Sequence, residues 1–274
     1  MKYKVAILYI CTGEYTYFWK SFYESAEKLL LLNSEKHYFV FTDLKSLEVG
    51  NSNNRVHIIY QENLPWPYPT LYRFKMFNRI KQELIDFDYI TFFNSNVVIN
   101  EMITEEEFLP LENDYLACLH PGRYNCNDYN LLPYEKRRRS KAYIPIRYKE
   151  YIYVCGGIQG GKAIPYINMI EKLAHNIDID EKKGIIAIWH DESHWNRFIF
   201  DNDNYKLLSC DYAYPEGWDI PFEKKIILLD KQKYISLNNK TDAVNPYTKY
   251  DILMIYINSY IHQLFNKIIK FFNK

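Results

Sequence analysis

Trp189-His190-Asp191-Glu192-Ser193-His194 is the densest cluster of reactive side chains in the chain, and an amphipathic helical stretch, Trp195 to Phe200, follows it. Two histidines four residues apart share one face of a helix, the arrangement that zinc proteases use. That motif requires glutamate directly after the first histidine, where this chain has Asp191, and no third ligand stands out. The alternative to a site is a plain helix start, with Asp191 and Glu192 favoured by the helix dipole.

Three other segments could meet a ligand. Asn94-Ser95-Asn96 follows an apolar strand expected at Tyr89–Phe93, where many sugar-nucleotide enzymes place two aspartates that hold manganese. Neutral amides are poor partners for a hard divalent cation, so they are expected to hydrogen-bond donor oxygens directly, unless the segment is simply an Asn-rich turn. Cys155-Gly156-Gly157-Ile158-Gln159-Gly160-Gly161 holds four of the nine glycines, after a strand expected at Tyr151–Val154. Paired glycines let a ligand approach the backbone or make a tight turn, and the spacing is not the dinucleotide fingerprint. Lys136-Arg137-Arg138-Arg139 is a cationic loop that could clamp a diphosphate, or a solvated run.

The elements that must position these residues alternate in type. Val5–Ile10, Tyr38–Thr42, Val56–Tyr60 and Tyr89–Phe93 read as strands, Phe18–Leu32 and Arg73–Leu84 as helices, with a proline-rich turn around Pro65 to Pro69. Such alternation predicts an α/β fold with a parallel, doubly wound sheet. Ligands of such sheets bind beyond the carboxyl ends of the strands, here Cys11-Thr12-Gly13, Thr42-Asp43 and Asn94-Ser95-Asn96. A nucleotide-binding half followed by a less regular half for a second substrate is expected, as one catalytic domain over residues 1–245.

Composition sets outer bounds. The 274 residues carry 34 basic and 34 acidic side chains, so no overall field favours nucleic acid. Five widely spaced cysteines suit free thiols in a reducing compartment, and the opening MKYKVAILYI lacks a leader or anchor pattern, so a cytoplasmic location is expected. The 27 tyrosines fit a surface that stacks on sugars, although tyrosine also serves as a general half-buried residue. Residues 246–274 read as an amphipathic, basic-ended helix, suited to an anionic membrane surface or to packing on the domain or a partner chain.

Taken in order, His120-Pro121-Gly122, Tyr134-Glu135-Lys136-Arg137 with Ala142-Tyr143-Ile144-Pro145, Gly156-Gly157 and Gly160-Gly161, and the specific WHDESH block resemble glycosyltransferase family 6. That family includes the blood-group A and B transferases and the α1,3-galactosyltransferases. The resemblance implies a GT-A fold, with a Rossmann-like nucleotide-binding half plus an acceptor-binding half. It also implies a UDP-sugar donor, retention at the anomeric carbon and an α1,3 linkage onto a galactose-terminated, plain or fucosylated acceptor.

Residue by residue, Glu192 falls on the catalytic glutamate, as nucleophile or as stabiliser of an oxocarbenium-like transition state. Asp191 falls on the position that holds donor-sugar hydroxyls, and Trp189 and His120 fall on acceptor positions, with Glu216 in the divergent YPEGW stretch a further acceptor candidate. Ile10, Cys11 and Thr12 match a uridine-contacting stretch, and Arg73 matches an arginine near the donor. Asn94 and Asn96, flanking Ser95, replace the aspartates of animal members, a departure shared by bacterial-type members. No divalent metal or other cofactor is therefore expected, and Arg73, the Lys136 to Arg139 loop and Lys231 would stabilise the leaving UDP. Gly156 and Gly157 align with the stretch that separates donor types. With no side chain at Gly157 to exclude a 2-acetamido group, UDP-N-acetylgalactosamine is preferred over UDP-galactose. Two other classes remain: a sugar-binding protein of the same fold without turnover, and a metal-dependent hydrolase.

Overall fold

The computed structural model describes residues 2–146, 150–236, 248, 250–254 and 257. Strand β1 (Lys4–Ile10) is buried on both faces, and its alternation divides the interior: Val5, Ile7 and Tyr9 enter one core, Ala6 and Leu8 the other. On the first face a 3-10 turn (Gly13–Phe18) runs into helix α1 (Trp19–Leu29), which buries Trp19, Phe22 and Ala26. Side chains as large as Phe22 contribute roughly 1.5–3 kcal/mol each when removed from water.

Strands β2 (Glu35–Thr42) and β3 (Val56–Tyr60) extend the sheet in parallel on one side of β1. Short helices α2 (Tyr68–Leu71), α3 (Arg73–Asn78) and α4 (Lys81–Leu84) then lead to β4 (Tyr89–Phe93), parallel to β1 on its other side. The single helix expected over Arg73–Leu84 is thus broken. Arg79 is drawn to the end of β3, donating to Gln61 Oε1 at 2.8 Å and to the Tyr60 carbonyl at 2.9 Å.

After β4 the sheet departs from the all-parallel expectation. Strand β5 (Val97–Ile99), helix α5 (Glu105–Phe108) and strand β6 (Tyr115–Leu119) precede β7 (Val154–Lys162), which runs antiparallel to both β4 and β6. Helices α6 (Ala163–Lys182) and α7 (His190–Asp201) cover the second face, and β8 (Tyr205–Leu208) closes the order β3-β2-β1-β4-β7-β6-β8. Strands β9 (Tyr214–Pro215) and β10 (Ile226–Leu228) join β5 in a small second sheet, and helix α8 (Lys231–Tyr234) follows.

The glycine run is not a turn after a strand but the body of β7. A Cβ at Gly160 would lie 2.5 Å from the Ile90 carbonyl oxygen, and one at Gly161 would lie 2.5 Å from that of Asp114. These two glycines therefore serve the close approach of β4 and β6.

Between β6 and β7 the chain leaves the sheet and builds a third core from Tyr129, Leu132, Tyr134, Ile144, Tyr151 and Tyr153, closed by Phe200. The basic run lies here, and its Lys136, Arg137 and Arg139 side chains have partners within the protein. Arg137 is buried and forms a two-point pair with Glu135, its Nη2 lying 2.6 Å from Oε2 and its Nε 2.9 Å from Oε1. Lys136 donates to the Asn130 carbonyl, and Arg139 pairs with Asp251 at 3.0 Å. The tail expected as an amphipathic helix falls almost wholly outside the described residues, and among these no helix is long and apolar enough to cross a membrane.

Asp180 of α6 anchors the same excursion by accepting from the Ser140 hydroxyl at 2.6 Å and the Lys141 amide at 2.8 Å. His194 lies against it, Nε2 3.7 Å from Asp180 Oδ2, with both ring nitrogens buried and without a hydrogen-bond partner among the described residues. Burial pushes the His194 imidazole down to about 3. The unfolded chain takes up a proton below its ordinary 6.5 that the folded ring refuses, so this group's stabilising effect is lost as pH falls from 6.5 towards 3. His194→Gln is accordingly expected to soften acid denaturation over that window by at most about 1.4 kcal/mol per pH unit. Urea unfolding at stepped pH measures this, and parallel curves for both proteins would contradict it.

Candidate active site

Gly156, near the start of β7, is the point where three elements meet. Its amide donates to Glu192 Oε2 at 2.7 Å, and its carbonyl accepts from Arg73 Nη1 at 2.6 Å and from Gln159 Nε2 at 3.0 Å. A Cβ there would stand 3.1 Å from Glu192 Cβ and 3.3 Å from Arg73 Nη1, tighter than side chains usually pack, so a larger residue would require α7 or the Arg73 side chain to shift. Arg73 also contacts Asp191 Oδ2 at 2.5 Å and lies over the Phe92 ring at 4.2 Å.

The start of α7 is fixed from several directions. Asn196 accepts from the Val154 amide at 3.0 Å and donates to the Val154 carbonyl at 2.8 Å and the Glu192 carbonyl at 2.9 Å. Glu135, already paired with Arg137, accepts from the Ile188 amide at 3.1 Å just ahead of Trp189. His190 takes up a left-handed backbone with φ of 51°, a conformation that costs a non-glycine residue about 1–3 kcal/mol. Its ring packs edge-on against Trp66 at 4.9 Å while His194 faces Asp180, so the two histidines do not share a zinc-protease arrangement.

Glu192 Oε1 accepts from the Tyr153 hydroxyl at 2.7 Å, leaving each carboxylate oxygen one bond to the protein and free lone pairs besides. His120 stands on the other side of Tyr153, with ring centroids 5.6 Å apart and its amide donating to the Tyr153 carbonyl at 3.0 Å. Burial pulls its imidazole below the usual range, against the nearby Glu192 charge. Trp189 leaves 49% of its surface in solvent at the mouth of this site. Glu216 is not joined to His120 or Trp189 by any described contact. Its carboxylate is taken up by the Asp230 amide at 2.8 Å, Tyr234 at 3.1 Å and Lys233 at 3.2 Å.

On the opposite side, the carboxyl ends of β1, β2 and β4 converge as the strand order requires. Ile10 and buried Cys11 and Thr12 lead into Gly13, whose amide donates to Asp43 Oδ1 at 3.0 Å. Burial raises the Cys11 thiol to about 12, so it packs as a neutral group. The Asn94 amide donates to the Gly157 carbonyl at 2.8 Å, and the Ser95 carbonyl accepts from the Tyr9 hydroxyl at 2.7 Å. Asn94 Nδ2 donates to Asn96 Oδ1 at 3.1 Å, and Asn96 Nδ2 donates to the Leu229 carbonyl at 2.7 Å. That chain of amides ties the turn to the segment leading into Lys231. The Lys231 ammonium lies over the Tyr15 ring at 5.1 Å, and burial, with the Arg73 charge nearby, lowers it to about 8.

The sequence-selected residues therefore form two connected groups, Arg73, Asp191, Glu192, Gly156, His120 and Trp189 around β7, and Thr12, Gly157, Asn94, Ser95, Asn96 and Lys231 around the strand ends. Asp43 and Gln159, named only within their segments, belong to the same network, as do Tyr153 and Asn196, which were not selected. Tyr153 reads in sequence only as part of an apolar run, and the partner of Asn196 is set by tertiary packing alone. Among the described residues no group of three or more His, Cys, Asp or Glu side chains gathers as a metal site. Burial pushes the Asp191 carboxyl up to about 7 against the pull of Arg73.

Glycosyltransferase family 6 matches residues 1–243 of the chain. The O-antigen biosynthesis glycosyltransferase WbnI of Escherichia coli is 35% identical over 229 residues, covering 84% of this chain and 95% of that protein. Histo-blood group ABO system transferase 1 of Rattus norvegicus is 26% identical, covering 84% of this chain and 65% of that protein. Globoside alpha-1,3-N-acetylgalactosaminyltransferase 1 of Homo sapiens is also 26% identical, covering 81% of this chain and 64% of that protein. The chain thus spans a little under two thirds of the length of these two mammalian relatives. Its mixed α/β architecture agrees with a GT-A type fold, and the chain belongs to glycosyltransferase family 6, whose members join a sugar-nucleotide donor to a glycan acceptor.

Proposed function

We propose that this glycosyltransferase moves N-acetylgalactosamine, and less readily galactose, from its UDP conjugate to a galactose-terminated acceptor. The product is α1,3-linked with retained anomeric configuration, made in the cytoplasm without a divalent metal. The observation that carries the reading is the hold on Glu192, a carboxylate fixed by the Gly156 amide and the Tyr153 hydroxyl beside the Arg73–Asp191 pair. The name of the human relative supports both the transferred sugar and the linkage. Five free cysteines support the compartment.

In the proposed reaction the bond between the anomeric carbon and the UDP oxygen breaks, its electron pair leaving with the diphosphate. Glu192 meets the resulting positive charge on the opposite face, as counter-charge or as a nucleophile whose bond to the anomeric carbon breaks again when the acceptor oxygen attacks from the side UDP left, and the acceptor hydroxyl's proton passes to the departed diphosphate. Arg73 and Lys231 offset charge on the departing UDP. Buried Arg73 Nε has no partner among the described residues, which fits a place kept for an anion.

The amide turn does not fit the divalent ion that carboxylates at these positions hold in animal members. Asn96 Oδ1 is taken by Asn94 and its nitrogen by the Leu229 carbonyl, so its amide is committed within the protein, and neither amide brings charge. Gly157 carries no side chain of its own to exclude a 2-acetamido group, and Asn94 bounds the space beside it, since a Cβ there would meet Asn94 Cβ at 3.3 Å.

Transfer from UDP-N-acetylgalactosamine and UDP-galactose to a fucosylated and a plain galactoside, each with EDTA and with manganese, tests the whole reading. Transfer that persists in EDTA and is faster with the acetamido donor is expected; dependence on manganese would overturn the metal-free part. Glu192→Gln is expected to cut turnover on the order of a hundredfold or more while UDP affinity stays near that of the parent. Turnover within a few fold of the parent would remove Glu192 from the chemistry. For Lys231, kcat/KM is expected to fall as pH rises through about 8, where the free enzyme loses that charge. Lys231→Arg should move this limb upward, and an unchanged profile would discount Lys231.

A further inference from the structure

The loop after β9 carries a tryptophan that neither the reaction nor the core uses. Trp218 is 49% exposed, yet its backbone is tied down. Its amide donates to the Pro215 carbonyl at 3.2 Å, and its carbonyl accepts from the buried Tyr214 hydroxyl at 2.7 Å. The same hydroxyl oxygen accepts from the Ile220 amide at 3.4 Å. Single exposed aromatic residues are common on protein surfaces, so it is the placement of this one that points to a ligand.

Two contacts join its loop to the one that carries His120. A Cβ added at Gly122 would stand 3.3 Å from His120 Cε1 and 3.8 Å from Trp218 Cη2, so the glycine keeps the space between imidazole and indole open. Further along, the Tyr124 and Phe222 rings meet edge-on at 4.9 Å and lock the two loops together. His120 packs against Tyr153, whose hydroxyl holds Glu192. A line of aromatic and imidazole groups therefore leads outward from the catalytic carboxylate through His120 to Trp218. An indole presents an apolar face to the C–H face of a pyranose and an N–H to its hydroxyls.

We propose that Trp218 is the platform for the second sugar of the acceptor, making the enzyme select galactose-ended chains of two or more sugars over a single galactose. This rests on the reading above, in which the terminal galactose meets His120 and Trp189. Trp218 acts on acceptor affinity and not on the donor or the bond-breaking step.

Steady-state transfer to methyl β-galactoside and to lactose, with acceptor-free hydrolysis of the UDP-sugar, measures this for the parent, Trp218→Ala and Trp218→Phe. Lactose is expected to be the better acceptor for the parent. Trp218→Ala should raise its KM roughly tenfold, the loss of one stacking contact. Its kcat, the monosaccharide KM and donor hydrolysis should stay constant, and Trp218→Phe should keep most of the lactose preference. Equal acceptors for the parent, an unchanged lactose KM in Trp218→Ala, or equal losses on both acceptors would each overturn the proposal. A parent that hydrolyses donor but transfers to neither galactoside would overturn the acceptor reading and the proposal with it.

Discussion

The grip of the Gly156 peptide on both α3 and α7 is the contact from which the rest of the site follows. One backbone unit donates to a carboxylate on one side and accepts from a guanidinium on the other. A side chain at this position would crowd both bonds, because a Cβ would press on Glu192 and Arg73 together. A backbone donor also carries no rotamer freedom of its own, so the carboxylate is oriented without the entropy cost of ordering a second long side chain. Turning β7 antiparallel within the sheet brings Gly160 and Gly161 between β4 and β6, with buried Gly156 four residues earlier on the same strand.

The charges around this peptide are arranged in dependent pairs. Arg73 and Asp191 are both buried, and isolated burial of either would be far more costly than the pair, since an unpartnered charge in the interior loses its water for nothing. The Glu135–Arg137 pair repeats the device one layer back, and its carboxylate also holds the Ile188 amide at the threshold of α7. Loss of either Arg137 or Glu135 would thus act on the start of α7, not merely on a surface loop. Within the basic run Arg137 therefore helps to position the WHDESH segment.

Much of this was legible in the sequence, for identifiable reasons. Val5–Ile10 is an unbroken apolar run whose strand could be read directly, and the WHDESH block marked the start of α7 without any structure. The reading failed where tertiary contacts override local pattern. Glycines look like a turn until the carbonyls of Ile90 and Asp114 are seen to exclude side chains, and the burial of Arg137 within the cationic run is not evident until Glu135 is placed beside it. Tyr153 was invisible for the opposite reason: its ring belongs to the tyrosine-rich third core, while its hydroxyl belongs to Glu192.

The amide turn shows how a change of two atoms can redirect an entire segment. An aspartate in place of Asn96 could not donate to the Leu229 carbonyl, and its charge would be set against that oxygen at the 2.7 Å now occupied by a hydrogen bond. The Leu229 amide also donates to the Asn96 carbonyl at 2.8 Å, so residue 96 and residue 229 are joined by two bonds just ahead of α8. With Leu228 paired to Val97 in the small sheet, this junction fixes the approach of the chain to Lys231. Glu216 closes it from the other side through the Asp230 amide. The neutral turn therefore does more than omit two negative charges: its hydrogen-bonding capacity is used to hold a lysine ammonium within the field of Arg73. Two cations kept close together in a partly buried site repel each other, a cost that binding of a diphosphate would reverse.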